Sequence, residues 1–414
     1  MNLQFKRNIE NASHLLPLAS YFIIPWGYAA MNIASILLLV YALLNANKTR
    51  VKAKQIKKRH LFYTALFAFY IAILTVFTAV NPLGEKIFQL MLYLGFLPPL
   101  VYVCSILTKS KASKLFNAFK LSVFLFCISS FVVVLINNGA SDPADIMGTL
   151  THKVFASAIV SAHSPYYLSL LVLLAKVITL EELYNHKNRV LNTVIFLTLF
   201  IVLILLSTRT ALVLGICITF FYVFKTFKST AQKISAILLI IFLLAGTFSV
   251  NKVLQKRVAN TLNISLNNLN WQEDWAYQGL ALRYQIWDCA IHSFQNDIIF
   301  GVGPTKVKQR IKNCSEEKKY HPLIWFNKNR NVTFNAHNMY LEAMLMGGII
   351  GALMFIFMIW SIGAFLLKNA TRSQKNIFII FVVLFLTESI FARNIGIILF
   401  SFFIFMSNDT KETL

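Results

Sequence analysis

The stretch NAHNMYLEAMLMGGIIGALMF, residues 335–355, puts a histidine, His337, at the mouth of an apolar run. Histidine is the side chain whose proton affinity lies closest to neutrality, so it can take a proton from a hydroxyl without a cofactor. It precedes Gly348 by 11 positions and Gly351 by 14. On one continuous helix at ~100° per residue, all three then fall within about 40° of one face. Gly347, Gly348 and Gly351 thin that face and let a neighbour approach closely, as small residues do between membrane helices. The plainer reading is a packing helix whose first-turn histidine sits at the interface. Asn338 follows the histidine directly. Tyr340, one turn on, either lines the same cavity or is an ordinary interfacial tyrosine.

Three arginines carry what a phosphate needs. Arg209 stands in STRTALVLG between two apolar runs joined by almost no loop. Arg393 stands in ESIFARNIGIILF between the last two runs, and Arg283 in LALRYQIW. A guanidinium held in a tight turn has little freedom to lose, and its planar fork matches phosphate oxygens. Snorkelling to lipid headgroups is the alternative for an arginine at a helix end. Glu388, shortly before Arg393, reads either as its ion-pair partner on one helix or as a charged member of the same site. His337 with the three arginines has the makings of a diphosphate site beside a base. His152 and Lys153 are weaker candidates for a substrate surface. The chain has no HExxH, no clustered Cys and His at ligand spacing and no G-x-x-x-x-G-K-[ST], so this reading calls for neither a metal nor a bound nucleotide.

The elements that must hold these residues are membrane helices. Hydrophobic residues make up 57% of the chain and charged ones 13%, against roughly 45–50% apolar in soluble domains. Apolar runs near the ~20 residues of a spanning helix recur at 13–28, 30–46, 61–79, 87–107, 119–136, 165–182, 190–206, 210–227, 234–250, 338–366, 376–390 and 394–407. The fold class expected is all-α, a polytopic protein of about twelve spans. It divides into 1–250 with nine spans, a large loop over 251–337, and 338–414 with three spans and a tail.

The net charge of +23 is first a matter of topology, since short cytoplasmic loops gather Lys and Arg; no nucleic-acid partner is inferred. NKTRVKAKQIKKRH after the second run and TKSKASKLFNAFK after the fourth are assigned to the cytoplasm. Both termini then lie inside, and His337 and the arginines lie outside. The 251–337 loop breaks the trend with twelve Lys or Arg against six acids, either a solvated basic surface or a platform for an anion. Within it, YQGLALRYQIWDCAIHSFQNDIIFGVGP reads as an amphipathic helix stopped by Gly301, Gly303 and Pro304. Cys289 and Cys314 in this loop are either free thiols or, in an oxidising compartment, a disulfide.

The order of runs, the late loop, the TRT turn, LALRYQIW, FGVGP and above all H-N-x9-G-x-x-G at His337, Asn338, Gly348 and Gly351 resemble the bacterial O-antigen ligases. The histidine motif and FGVGP are shared with the related O-antigen polymerases. The resemblance implies transfer of a polysaccharide from undecaprenyl diphosphate to a sugar hydroxyl of lipid A-core, at the periplasmic face of the bacterial inner membrane. It implies a fold similar to the C-type glycosyltransferases, inversion at the anomeric carbon and no cofactor. Carried over, His337 is the base, Arg209 and Arg283 hold the diphosphate, and Arg393 and Glu388 are further site members; Asn338 and Tyr340 are added as substrate-binding candidates from their place beside His337. Glu388 departs from the family pattern, which has aspartate there. The implied partners are the lipid-linked donor, the lipid A-core acceptor and membrane lipids. The alternatives are a polymerase of the same superfamily and a lipid-linked oligosaccharide transporter, in which Lys176 of LLVLLAKVITLEEL lines a path. For the arginine reading, Arg209→Lys is expected to lose most transfer activity, because a point charge does not replace a two-pronged contact. Full glycan transfer by that variant would return Arg209 to snorkelling.

Overall fold

The computed structural model describes residues 14–45, 59–108, 112–138, 165–206, 208–250, 279–295 and 297–406, with Gln255. His152, Lys153, most of the basic segment after the second run, both chain ends and the first part of the large loop lie outside them. Regular structure among the described residues is helical. In chain order the helices are α1 (Leu15–Ile23), α2 (Tyr28–Leu44), α3 (Arg59–Thr78), α4 (Lys86–Leu107), α5 (Ala112–Asn138), α6 (Pro165–Tyr184), α7 (Arg189–Leu206), α8 (Arg209–Thr226) and α9 (Thr230–Val250). Then follow α10 (Gly279–Gln295), α11 (Val307–Glu317), α12 (His321–Arg330), α13 (Met339–Asn369), α14 (Arg372–Leu384) and α15 (Asn394–Ile404).

Six of these, α3, α4, α5, α7, α8 and α13, are long and apolar enough to cross a membrane. The first run is not one straight span. Pro25 and Gly27, the latter at φ 121°, end α1 in a 3₁₀ turn before α2 begins. Proline lacks the N–H that a continuing helix needs, and only glycine takes that φ at little cost.

Helix α6 is buried without interruption from Tyr167 to Leu180, packed among α5, α7, α8 and α14. Its Lys176 is 1% exposed. The ammonium donates to the Gly215 carbonyl at 2.9 Å and lies 4.2 Å above the Phe200 ring. Lys176 therefore neither lines an open path nor snorkels. It pins α6 to α8 through the Gly215 carbonyl, with the Phe200 ring face beside its nitrogen.

The glycine-rich part of α13 is a broken helix. Gly348 sits at φ 65° and ψ −158°, so the Ile349 N–H cannot reach the Leu345 carbonyl four residues back. Both ends of that missing rung are taken up by the FGVGP segment. Ile349 N–H donates to Ile298 O at 2.8 Å, and Val302 N–H donates to Leu345 O at 2.8 Å. A Cβ on Gly348 would meet Ile299 O at 2.0 Å, and one on Gly301 (φ 72°) would meet Leu345 O at 2.4 Å. Gly347 faces Tyr70, whose hydroxyl donates to the Gly347 carbonyl at 2.9 Å. The glycines thus admit a loop and a tyrosine, and the single helical face drawn through His337, Gly348 and Gly351 does not exist. His337 lies before the helix and Gly348 interrupts it.

The described part of the large loop forms a cap. Its helix α10 lies on α13, with α11 against α10, and buries Ile286 and Ala290. Cys289 and Cys314 are joined in a disulfide, Cα atoms 5.5 Å apart. Closing a loop of 25 residues stabilises by about 3 kcal/mol in the chain-entropy account. Beside it, Asp288 accepts from Lys318 Nζ at 2.5 Å and Tyr320 Oη at 2.7 Å. Burial works to raise the Asp288 carboxyl, but these two donors hold it below its ordinary value. Its contribution is present above the ordinary carboxylate pKa and lost as pH falls through the lowered one.

Gly301→Ala is expected to undock the cap loop, adding a strained φ worth about 1–3 kcal/mol to a backbone clash. The measure is a lower thermal midpoint with loss of activity. Gly246→Ala, a helical glycine with nothing within 4 Å of its Cβ, should leave both unchanged or better.

Candidate active site

His337 is held outside α13 by the chemistry of the helix start. Asn338 is the N-cap, its side-chain oxygen accepting the N–H groups of Tyr340 (2.9 Å) and Leu341 (3.1 Å). His337 itself takes a left-handed φ of 45°, and its N–H donates to Asn335 Oδ1 at 3.2 Å. Met339 N–H, an orphan donor of the first turn, reaches the Phe385 carbonyl at 2.7 Å. That bond ties the start of α13 to the end of α14, and the chain beyond α14 carries Glu388.

The Glu388 carboxylate joins two elements that are far apart in sequence. Oε1 lies 3.0 Å from His337 Nδ1, and Oε2 lies 3.7 Å from an Arg283 guanidinium nitrogen. Glu388 is 14% exposed at its side chain, His337 29% and Arg283 26%, so the group is sheltered but open to a ligand. With Glu388 ionised, its bond to Nδ1 requires the hydrogen there and leaves the Nε2 lone pair as the proton acceptor. Glu388 does not pair along a helix with Arg393: the two are five residues apart, and a 3₁₀ turn, Ile390–Ala392, separates them.

Arg209 is the first residue of α8 and Arg393 the N-cap of α15. A cation at a helix N-terminus opposes the helix dipole, so neither arginine is there to stabilise its helix. Both add to the positive end, where anions bind. Arg209 and Arg283 stand close enough for their charges to act on one another. Glu388 and Arg393 both act on the Tyr167 hydroxyl, and Glu388 and Arg283 on that of Tyr166. The starts of α6, α8, α13 and α15 therefore gather at one end of the bundle, with Arg283 reaching in from the cap. Asn338 serves as a cap. Tyr340 stands edge-on to Phe355, with its hydroxyl 3.4 Å from the Val382 carbonyl, which makes it a packing residue here. Gly347, Gly348 and Gly351 form the joint described above.

Three participants carried no sequence signal of their own. Glu342, 6% exposed, accepts the Ala336 N–H at 2.6 Å and the Ser389 hydroxyl at 3.3 Å. It thereby clamps the residue before His337 to the residue after Glu388. Tyr167, 3% exposed, has a hydroxyl with no hydrogen-bond partner among the described residues. Lys86, the first residue of α4, faces a cleft shared with Arg393. Among the described residues no three His, Cys, Asp or Glu side chains gather as a metal site.

The helices and this end of the bundle define a multi-pass membrane protein with a carboxylate-oriented histidine whose carboxylate also faces a guanidinium. Residues 194–356, which hold Arg209, Arg283 and His337, match the family described as O-Antigen ligase. No curated protein matches the chain.

Glu342→Ala leaves the buried Ala336 N–H without its acceptor, at a cost of about 1–3 kcal/mol, and loosens the loop that aims His337. We expect a fall in kcat with KM nearly unchanged, and partial recovery in Glu342→Gln, whose amide oxygen can accept the same N–H. Full kcat in Glu342→Ala would remove it from the site's framework.

Proposed function

We propose that the protein is an O-antigen ligase, transferring polysaccharide from undecaprenyl diphosphate to a sugar hydroxyl of lipid A-core at the periplasmic face. The observation that carries this reading is the contact of His337 Nδ1 with Glu388, whose other oxygen faces Arg283. One carboxylate thus orients a base and positions a phosphate ligand. In the proposed reaction the acceptor hydroxyl attacks the anomeric carbon while Nε2 of His337 takes its proton, a step that typically contributes about 10²–10⁴-fold. The bond from that carbon to the diphosphate oxygen breaks with inversion. The electron pair leaves on the diphosphate, where Arg209 and Arg283 stabilise the growing charge. Glu388 then stabilises the imidazolium. The arginines would take the charge-stabilising role that a metal plays in other transfer reactions.

Binding of donor needs only the guanidiniums, whereas transfer needs the base. His337→Ala is therefore expected to reach the membrane in normal amount, to retain donor binding and to lose transfer. Lipid A-core carrying near-normal polysaccharide in that strain would sink the assignment. The product of a deletion separates the two superfamily members. Polymerised glycan left on the carrier lipid indicates a ligase, and single repeat units on the core indicate a polymerase.

A further inference from the structure

A cleft of about 280 Å³ has Lys86, Arg393, Asn32, Asn394 and Tyr28 in its lining. Lys86 opens α4, Arg393 caps α15, and Tyr28 opens α2. Three helix starts and two cations thus face one small space. Among the described residues neither Lys86 nor Arg393 is paired with a carboxylate. Like charges turned into one cleft repel, and each also stands at the unfavourable end of a helix dipole. Both side chains are exposed, so solvent screens part of that repulsion, and an anion in the cleft would offset the rest. The side-chain amides of Asn32 and Asn394 add neutral donors suited to phosphate oxygens. A space of this size is large enough for a phosphate group.

A second observation points to a ligand. The Tyr167 hydroxyl is buried and unpaired among the described residues, and it feels Arg393 and Tyr28 from the cleft and Glu388 from the base. A buried hydroxyl without a partner is costly, and this one lies within electrostatic reach of both Arg393 and Glu388.

We propose that Lys86 and Arg393 form a second anion subsite that takes a phosphate carried by the acceptor glycolipid. This rests on the transfer reaction proposed above. Arg209 and Arg283 hold the leaving diphosphate on the Arg283 side of Glu388. The acceptor must reach the anomeric carbon from a different direction if inversion is to occur. A phosphate anchored by Lys86 and Arg393 fixes its inner sugars there and brings the attacking hydroxyl within reach of His337, an entropic gain realised before the chemical step.

Two measurements on the full chain in detergent test this. In the first, acylation of lysine amines is read residue by residue by mass spectrometry, with inorganic diphosphate as the probe. Lys86 should be protected in the wild type and unprotected in Arg393→Gln, while Lys368, on the opposite end of α13 from the site, stays reactive throughout. No protection of Lys86, or equal protection of Lys368, overturns the subsite whatever the protein's reaction proves to be. In the second, initial rates are compared for lipid A-core with its phosphates intact or removed. Lys86→Gln should raise KM for the intact acceptor about tenfold and leave KM for the stripped acceptor and for the donor unchanged. A raised donor KM instead would assign the cleft to the donor diphosphate and overturn the acceptor assignment. Transfer surviving His337→Ala would bring down the reaction itself and leave the labelling result standing.

Discussion

A single absent hydrogen bond, the rung that should join Ile349 N–H to the Leu345 carbonyl, is what the candidate site is built around. In hydrocarbon an open rung is costly unless both ends find partners. Here the carbonyl of Ile298 and the N–H of Val302 supply them. The exchange fastens the FGVGP segment into α13, and with it the cap helix α10 that carries Arg283. Gly348 and Gly301 make the joint passable, because any side chain at either would strike backbone. Two motifs some fifty residues apart in the chain are therefore two halves of one piece of structure, and their joint occurrence has a mechanical cause.

Around that joint the polar groups are arranged in layers. Glu342, buried one turn into α13, grips the backbone before His337 and the hydroxyl after Glu388. Glu388 in turn sets the imidazole and meets Arg283. The inner carboxylate holds the chain and the outer one orients the chemistry. Beyond them the charge is almost wholly positive, from guanidiniums and from helix starts. Several of these cations weaken the helices they begin, and fixed positive charge of that kind is electrostatic preorganisation toward an anion.

Much of the site was legible from residue types. A histidine at the edge of an apolar run, arginines in tight turns and a glycine-rich helix each have a narrow range of physical uses, and the candidate roles of His337, Arg209 and Arg283 come from them. The relation among those residues was not legible. Periodicity placed His337 above the glycines on one helical face, but that argument assumes an unbroken helix, and Gly348 breaks it. From the sequence Glu388 reads either as an ion-pair partner for its near neighbour Arg393 or as a charged member of the same site. Its actual partners lie 51 residues away, at His337, and in the cap, at Arg283. Glu342, Tyr167 and Lys86 look like ordinary helix residues, and only their burial and neighbours set them apart.

The sequence by itself determined that the chain is helical and belongs in a membrane, because mean apolarity and run length follow from composition and the solvent dictates the rest. It also determined which side chains were able to serve as base and phosphate ligands, since that depends on functional groups alone. Tertiary structure alone decided whether Cys289 and Cys314 meet, whether Lys176 sees lipid or a carbonyl, and which carboxylate faces His337. Each of those is a contact between segments brought together by packing. No local propensity encodes such contacts, since their energies depend on distances that exist only once the helices have docked.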